Sequence, residues 1–200
     1  MKSIARSSVS PVNFLLKDLL SRTFDDDQPL LGKLILEKSV GMIAGPRGSG
    51  KSWLAMLIAY AIAGKKPLKP WGQGIGARVA ILDGEMRASS LQGRFQLIRN
   101  RETAPASGSE AENNLYIISR DCVGNSIGSI DTLEGQKKID ALIPLGIRLL
   151  IIDNLSAWSA GGSESATSWA LTKTWLIEKK TARDRRFDNS SRREKWSATR

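Results

Sequence analysis

The sequence contains no histidine and a single cysteine, Cys122, among its 200 residues. Without histidine, the chain cannot build a Ser-His-Asp or Cys-His catalytic group, and it has no imidazole to bind a metal. With one cysteine, it can form neither an intrachain disulfide nor a cysteine-rich zinc site. These absences exclude several common classes of hydrolase and metalloprotein before any motif is considered.

Long apolar runs are also missing. The longest run, Trp53–Ala63, has 11 residues, whereas a membrane-spanning helix needs about 20. Near the N-terminus, Lys17 and Asp18 interrupt the apolar stretch 14–20, so the hydrophobic segment of a signal peptide is not recognisable. We therefore expect a cytoplasmic protein with no membrane partner.

The net charge of +10 is unevenly distributed along the chain. Residues 179–200 contain nine basic and three acidic side chains, so most of the excess positive charge belongs to this tail. Apolar residues make up 41% of the chain and charged residues 25%, which are ordinary globular values and exclude a wholly disordered chain. The high isoelectric point is therefore weak support for nucleic-acid binding by the body of the protein.

The pattern of apolar segments predicts an α/β fold, with a mostly parallel sheet and helices on both faces. We expect strands at Val40–Ala44, Arg78–Leu82, Leu115–Ser119 and Leu149–Ile152. We expect a helix that follows Gly45 and runs through Ala63 with Gly64 as its C-cap, a helix at Arg87–Arg101, and a helix at Leu133–Ile143 with Asp131 as its N-cap. Leucines at 15, 16, 19 and 20 predict a short amphipathic helix, expected to pack against the body rather than to bind a partner.

One segment fits the pattern G-x-x-x-x-G-K-[ST] at every specified position. Its residues are Gly45, Pro46, Arg47, Gly48, Ser49, Gly50, Lys51 and Ser52. Such a loop turns successive backbone N–H groups inward, and the helix that follows points its positive dipole end at the same place. We expect this loop to bind a nucleotide through its phosphates, with Lys51 at the β- and γ-phosphates, the Ser52 hydroxyl on Mg²⁺, and Arg47 facing solvent.

A second motif places carboxylates near the same site. Residues 149–153 are four apolar residues followed by Asp153, and strand ends of this kind meet ligands at the carboxyl edge of an open α/β sheet. We expect Asp153 to hold Mg²⁺ through water. Hydrolysis also needs a group that orients water. Asn154, and not a glutamate, follows Asp153, so we expect the group that orients water at the end of the second predicted strand. Asp83 and Glu85 are the two candidates there, and we favour Glu85. The alternative role of Glu85 is to compensate the charge of a helix N-terminus.

Taken together, these motifs resemble the RecA/DnaB superfamily and, within it, the RepA-like ATPases of plasmids, phages and bacterial mobile elements. The likeness covers residues 29–178. It rests on Pro29-Leu30-Leu31-Gly32, on residues 44–53, and on Asp153-Asn154-Leu155-Ser156 followed by Gly161-Gly162.

This resemblance implies a RecA-like core that hydrolyses ATP. Carried over by position, Lys51 and Ser52 bind phosphate and metal, Glu85 activates water, and Asp153 serves Mg²⁺. It also implies a homo-oligomeric ring in which a neighbour's arginine completes the site, and DNA as a partner in replication or mobilisation. Unwinding is implied less firmly than ATPase activity.

The chain departs from the family pattern near its end. Relatives continue into a strand ending in histidines, a Gly-Lys turn and a Gln-Arg-Gly segment, whereas residues 179–200 are polar and basic. We hypothesise a reading-frame shift near residue 180 or an equivalent truncation, which would leave the core incomplete at its C-terminus. The alternatives are a solvated, disordered basic tail and a tail that binds nucleic acid through phosphate contacts.

The sequence thus predicts an N-terminal extension at 1–28, an ATPase domain at 29–178 and the basic tail at 179–200. Its predicted function is Mg²⁺-dependent ATP hydrolysis. One alternative is a fragment that binds ATP but hydrolyses it poorly because the last strands are missing. Another is a small-metabolite kinase, which the absence of a recognisable acceptor site disfavours.

Overall fold

A computed structural model describes residues 15–23, 27–101, 110–160 and 170–177 of the protein. The helices are α1 (Leu16–Leu20), α2 (Lys51–Ala63), α3 (Ala88–Asn100), α4 (Glu110–Asn114), α5 (Arg120–Val123) and α6 (Leu133–Leu142), and residues 170–177 are also helical. The strands are β1 (Pro29–Leu31), β2 (Ile35–Leu36), β3 (Pro67–Leu68), β4 (Gly72–Gln73), β5 (Val79–Asp83), β6 (Leu115–Ser119) and β7 (Leu149–Asp153). Short 3₁₀ turns occur at Asn125–Ile127 and Ser156–Trp158.

The centre of the fold is a three-stranded parallel sheet in the order β6-β5-β7. Its register pairs Asp83, the last residue of β5, with Ser119 on one side and Asp153 on the other. The carboxyl ends of all three strands therefore lie at one edge. The strands predicted at 78–82, 115–119 and 149–152 are confirmed, with differences of one residue at most.

Helices cover both faces of this sheet, because side chains alternate between the faces along a strand. Val79 and Ile81 of β5 belong to an apolar cluster with α2 and α3, whereas Leu82 belongs to a second cluster with Ile139 of α6 and Trp158. The residues 170–177 contribute Trp175 to the second cluster. The predicted α/β architecture with helices on both faces is confirmed.

The first predicted strand, Val40–Ala44, is wrong: these residues are not in a strand. Val40, Met42 and Ile43 are exposed, and no described strand pairs with them. An apolar run becomes a strand only where a neighbour completes the ladder of hydrogen bonds. Strand β7 pairs with β5 on one side, and all five of its residues are half-buried.

The predicted helix α2 is confirmed, including its end. It runs from Lys51 to Ala63, and the Gly64 N–H donates to the Tyr60 carbonyl oxygen at 2.9 Å. The helix packs against β5 and β7, and its second half is almost entirely buried. This packing fixes the position of α2, at whose N-terminal end the loop lies, relative to the sheet.

Two smaller predictions are corrected by the structure. The N-cap of α6 is Thr132, whose hydroxyl accepts from the Gly135 N–H at 3.1 Å; Asp131 instead accepts from the Ser159 hydroxyl at 2.7 Å. The amphipathic helix α1 forms, but none of its residues is buried. Within the described part of the chain, the leucines of this helix do not pack against the body, so that prediction is wrong.

None of the helices in the described part of the chain is both long and apolar enough to cross a bilayer. The predicted basic tail, 179–200, lies outside the described residues, as do Gly161 and Gly162.

The cluster around α6 offers a direct test of the fold. Ile139→Ala should lower the free energy of unfolding by about 2–5 kcal/mol, because Ile139 is fully buried and the substitution leaves a cavity. Leu133→Ala on the same helix is the control, since Leu133 is 68% exposed. Urea denaturation of both variants measures the difference, and equal losses would contradict the described packing.

Candidate nucleotide site

The loop 45–52 has the backbone of an anion-binding turn. Gly48 and Gly50 adopt positive φ angles of 77° and 85°, in the left-handed region that favours glycine. A Cβ built on either glycine meets no atom within 4 Å, so there is open space in front of both. The loop is exposed from residue 45 to residue 49, and it is accessible to a phosphate group.

The Lys51 ammonium lies within this loop. Its Nζ donates to the carbonyl oxygens of Gly45 at 2.8 Å and Pro46 at 2.7 Å. Lysine presents three donors on a compact charge, so these two bonds hold the positive charge over the turn while leaving a donor for a ligand. Lys51 is thus positioned where a bound triphosphate would need a counter-charge.

Helix α2 begins at Lys51 and presents its N-terminal end to the same turn. No acidic residue occupies its first turn, and its N-cap Gly50 provides no side-chain hydrogen bond. The positive end of the helix dipole is therefore uncompensated by described side chains and favours an anion. Ser52, in the first turn, is half-buried.

The carboxyl edge of the sheet brings together the acidic residues predicted from the sequence. Asp83 and Asp153 are register partners on β5 and β7, and the Gly84 N–H donates to the Asp153 carbonyl oxygen at 2.8 Å. The peptide bond between Asp153 and Asn154 is cis. Glu85 lies immediately beyond this edge and is exposed.

Asp83 has a local structural role. The residue is 1% exposed, and its Oδ1 accepts from the N–H groups of Met86 at 2.7 Å and Glu85 at 3.2 Å. Burial raises the pKa of the Asp83 carboxyl above its ordinary value of 3.8, and repulsion from Asp153 and Glu85 adds to the increase. Of the two acidic residues, Asp83 is therefore buried, whereas Glu85 is exposed.

The side chain of Glu85 has a defined partner. Its Oε1 accepts a hydrogen bond from Asn154 Nδ2. The Asn154 Oδ1 in turn accepts from the Ser156 hydroxyl at 2.6 Å and the Ala157 N–H at 2.9 Å. Residues that are far apart in sequence are thus joined directly at the sheet edge.

The loop and the acidic edge of the sheet are connected through packing against a shared apolar cluster. Trp53, in the first turn of α2, and Met86, next to Glu85, pack against the same apolar cluster. The Arg94 guanidinium of α3 lies over the Trp53 ring, 5.1 Å from its centroid. Since α2 also packs against β7, the loop and the acidic residues are held on one rigid core.

The oxygen donors of this site could hold magnesium only together with the phosphates of a nucleotide. The described residues contain no group of three acidic or cysteine side chains that could hold a metal by themselves. Mg²⁺ commonly binds one or two protein oxygens and completes its shell with phosphate oxygens and water. The Ser52 hydroxyl and the Asp153 carboxylate are oxygen donors of the kind this arrangement needs.

Sequence reasoning missed two contacts in this site. It treated Asn154 only as a residue in place of a glutamate, and it treated Asp83 only as a competitor of Glu85. Asp83 followed by glycine, and Asn154 followed two residues later by serine, are both typical of side chains that bond the backbone of a turn. Those local patterns could have predicted the two turns, but not the bond between Asn154 and Glu85.

The family of the chain follows from comparison with known proteins. Residues 7–183 match the family model described as AAA domain. The chain belongs to this family of P-loop ATPase-type domains. No curated protein matches it. The α/β core with a three-stranded parallel sheet fits such a domain.

The buried Asp83 yields a prediction on pH and stability in the absence of nucleotide and magnesium. Its raised pKa means that the folded protein keeps this proton to a higher pH than the unfolded chain does. The free energy of unfolding therefore decreases as the pH rises from 3.8 through the folded-state value. Asp83→Asn removes this loss and keeps the Oδ1 acceptor.

The stability of Asp83→Asn relative to the wild type should thus increase over this pH range and then level off. Thermal unfolding of both proteins at a series of pH values measures the difference. A difference that is constant or decreases with pH would show that the carboxyl is not destabilised by burial.

Proposed function

We propose that the protein binds ATP with Mg²⁺ at the loop 45–52 and hydrolyses it. Lys51 neutralises the β- and γ-phosphates. The backbone of the phosphate site is supplied by Gly45, Pro46, Arg47, Gly48, Ser49 and Gly50. Ser52 and Asp153 hold the magnesium ion. Magnesium, when bound, offsets negative charge on the phosphates. Glu85 orients the attacking water and accepts its proton.

The observation that supports this proposal best is the loop itself. A left-handed turn at two glycines, a lysine held over that turn and an uncapped helix N-terminus all favour a multiply charged anion. Each of these three features favours an anion only modestly, but all three are directed at the same small space at the loop. Membership of the family of P-loop ATPase-type domains agrees with this role.

The finer biological role is a proposal that rests on the resemblance to RepA-like ATPases. We propose that the protein acts in replication or mobilisation of plasmid or phage-type DNA, within a homo-oligomeric ring. An arginine from a neighbouring copy would then complete the site and could raise turnover by about 10³–10⁵. The basic composition of segment 179–200 supports contact with DNA phosphates.

A second candidate is ATP binding with little or no hydrolysis. It is favoured by the exposed Val40, Met42 and Ile43 and by the half-buried strand β7. In the described part of the chain these apolar segments lack a strand that would cover them and add its groups to the site. Under this candidate, nucleotide affinity is retained while turnover is lost.

Lys51→Ala tests the phosphate site. The variant should bind MgATP about 10- to 100-fold more weakly, because a charged hydrogen bond to phosphate contributes about 1.5–3 kcal/mol. Lys69→Ala is the matched control, since Lys69 is an exposed lysine beyond the other end of α2. Isothermal titration calorimetry measures both affinities, and equal affinities for the two variants would contradict the assignment.

Glu85→Gln separates the two candidates. If the protein hydrolyses ATP, this variant should lose about 10²–10⁴-fold in single-turnover rate, because it removes the proton acceptor, while its affinity for ATP stays within about twofold. The control is Glu134→Gln, at a surface glutamate of α6 paired with Lys138. Binding without hydrolysis in the wild type would favour the second candidate.

A further inference from the structure

The side-chain amide of Asn154 has only one orientation that satisfies its neighbours. The Ala157 N–H is a donor, so the atom that faces it at 2.9 Å must be the amide oxygen. The Ser156 hydroxyl donates to the same oxygen at 2.6 Å. The Nδ2 group is therefore directed at the Glu85 carboxylate, to which it donates.

The turn that carries Asn154 is fixed against the end of β5. A Cβ built on Gly84 would lie 2.5 Å from Ala157 Cβ and 3.0 Å from two atoms of the Trp158 ring, so the two segments touch. Trp158 is fully buried, and the Arg120 guanidinium donates to the Ala157 carbonyl oxygen at 2.8 Å. Small displacements of the turn are opposed from several sides.

Glu85 needs such a partner because its side chain is otherwise exposed. A free glutamate samples many rotamers, and fixing them costs side-chain entropy. Its backbone is already held, since its N–H donates to Asp83 Oδ1. One hydrogen bond from a neutral amide fixes Oε1 without neutralising the charge, and it leaves Oε2 to accept from water.

We propose that Asn154 is a positioning residue that orients the Glu85 carboxylate towards the water that attacks ATP. This proposal rests on the proposed function. The amide does not touch the reacting atoms and carries no proton in the reaction. Its contribution is to keep the carboxylate in the productive geometry, where a misplacement of about 1 Å can cost about 10²-fold in rate.

The test measures single-turnover hydrolysis and ATP affinity for two variants of Asn154. Asn154→Ala removes the donor and the acceptor, and should reduce the rate about 10- to 100-fold with affinity within about twofold. Asn154→Asp keeps an acceptor for the Ser156 hydroxyl and the Ala157 N–H but replaces the donor with a carboxylate oxygen that repels Glu85. It should therefore lose at least as much rate as Asn154→Ala.

Two comparisons distinguish positioning from a general structural effect. Ser156→Ala keeps the bond between Asn154 and Glu85 and should lose less than threefold in rate. In a Glu85→Gln background, Asn154→Ala should reduce the residual rate much less than it does in the wild type, because groups that act as a unit are not additive. Additive losses would assign Asn154 to the fold and overturn the proposal.

The remaining outcomes are also decisive. An unchanged or increased rate for Asn154→Ala, with Glu85→Gln impaired as expected, would overturn the positioning role and leave the proposed ATPase function standing. A wild type that binds ATP without hydrolysing it, or that is indifferent to Glu85→Gln, would reject both the catalytic glutamate and its positioning residue.

Discussion

The in-register parallel pairing of β5 with β7 is the constraint on which the site depends. It puts Asp83 beside Asp153, and one further hydrogen bond, from the Gly84 N–H to the Asp153 carbonyl, continues the pairing beyond the strands. Glu85 follows Gly84 along the chain, and Asn154 follows Asp153. A slip of one residue would turn every side chain of the strand to the opposite face, so this register fixes which carboxylates lie together at the carboxyl edge of the sheet.

The two halves of the site carry opposite charge and are built differently. The loop offers backbone N–H groups, a lysine and the end of a helix dipole, whereas the sheet edge offers carboxylates. Asp83 and Asp153 repel each other, and burial of Asp83 adds to the cost of ionising it. The proposed ligand, a triphosphate with its magnesium ion, has the complementary charges, because it would present negative oxygens to the loop and a cation to the acidic edge.

The sequence predicted those parts of the fold whose signals are local. Strand β6 and the end of α2 at Gly64 are confirmed because apolar runs bounded by turn residues specify their own limits. The segment 40–44 carries the same kind of signal but is not a strand, since a strand depends on a partner that the run itself does not specify. The exposed leucines of α1 show the same limit, because periodicity indicates a face but not what covers it.

The site also has parts that the local sequence predicts and parts that depend on tertiary contacts. The loop 45–52 could be predicted because its residues are contiguous and each has a backbone or charge role. The meeting of Asp83, Glu85 and Asp153 followed from the rule that parallel strands end at one edge. The bond between Asn154 and Glu85 joins residues 69 positions apart, and it depends on the seating of the Ser156–Trp158 turn against Gly84, which no local pattern encodes.

The proposed nucleotide site is tested most directly by a crystal structure of the protein soaked or co-crystallised with magnesium and a non-hydrolysable ATP analogue. We expect the β- and γ-phosphates within hydrogen-bond distance of the amides of residues 48–52, with the metal between the Ser52 hydroxyl and the Asp153 carboxylate. Phosphates bound elsewhere, or a loop without nucleotide at a saturating concentration of the analogue, would show that the proposed site is wrong.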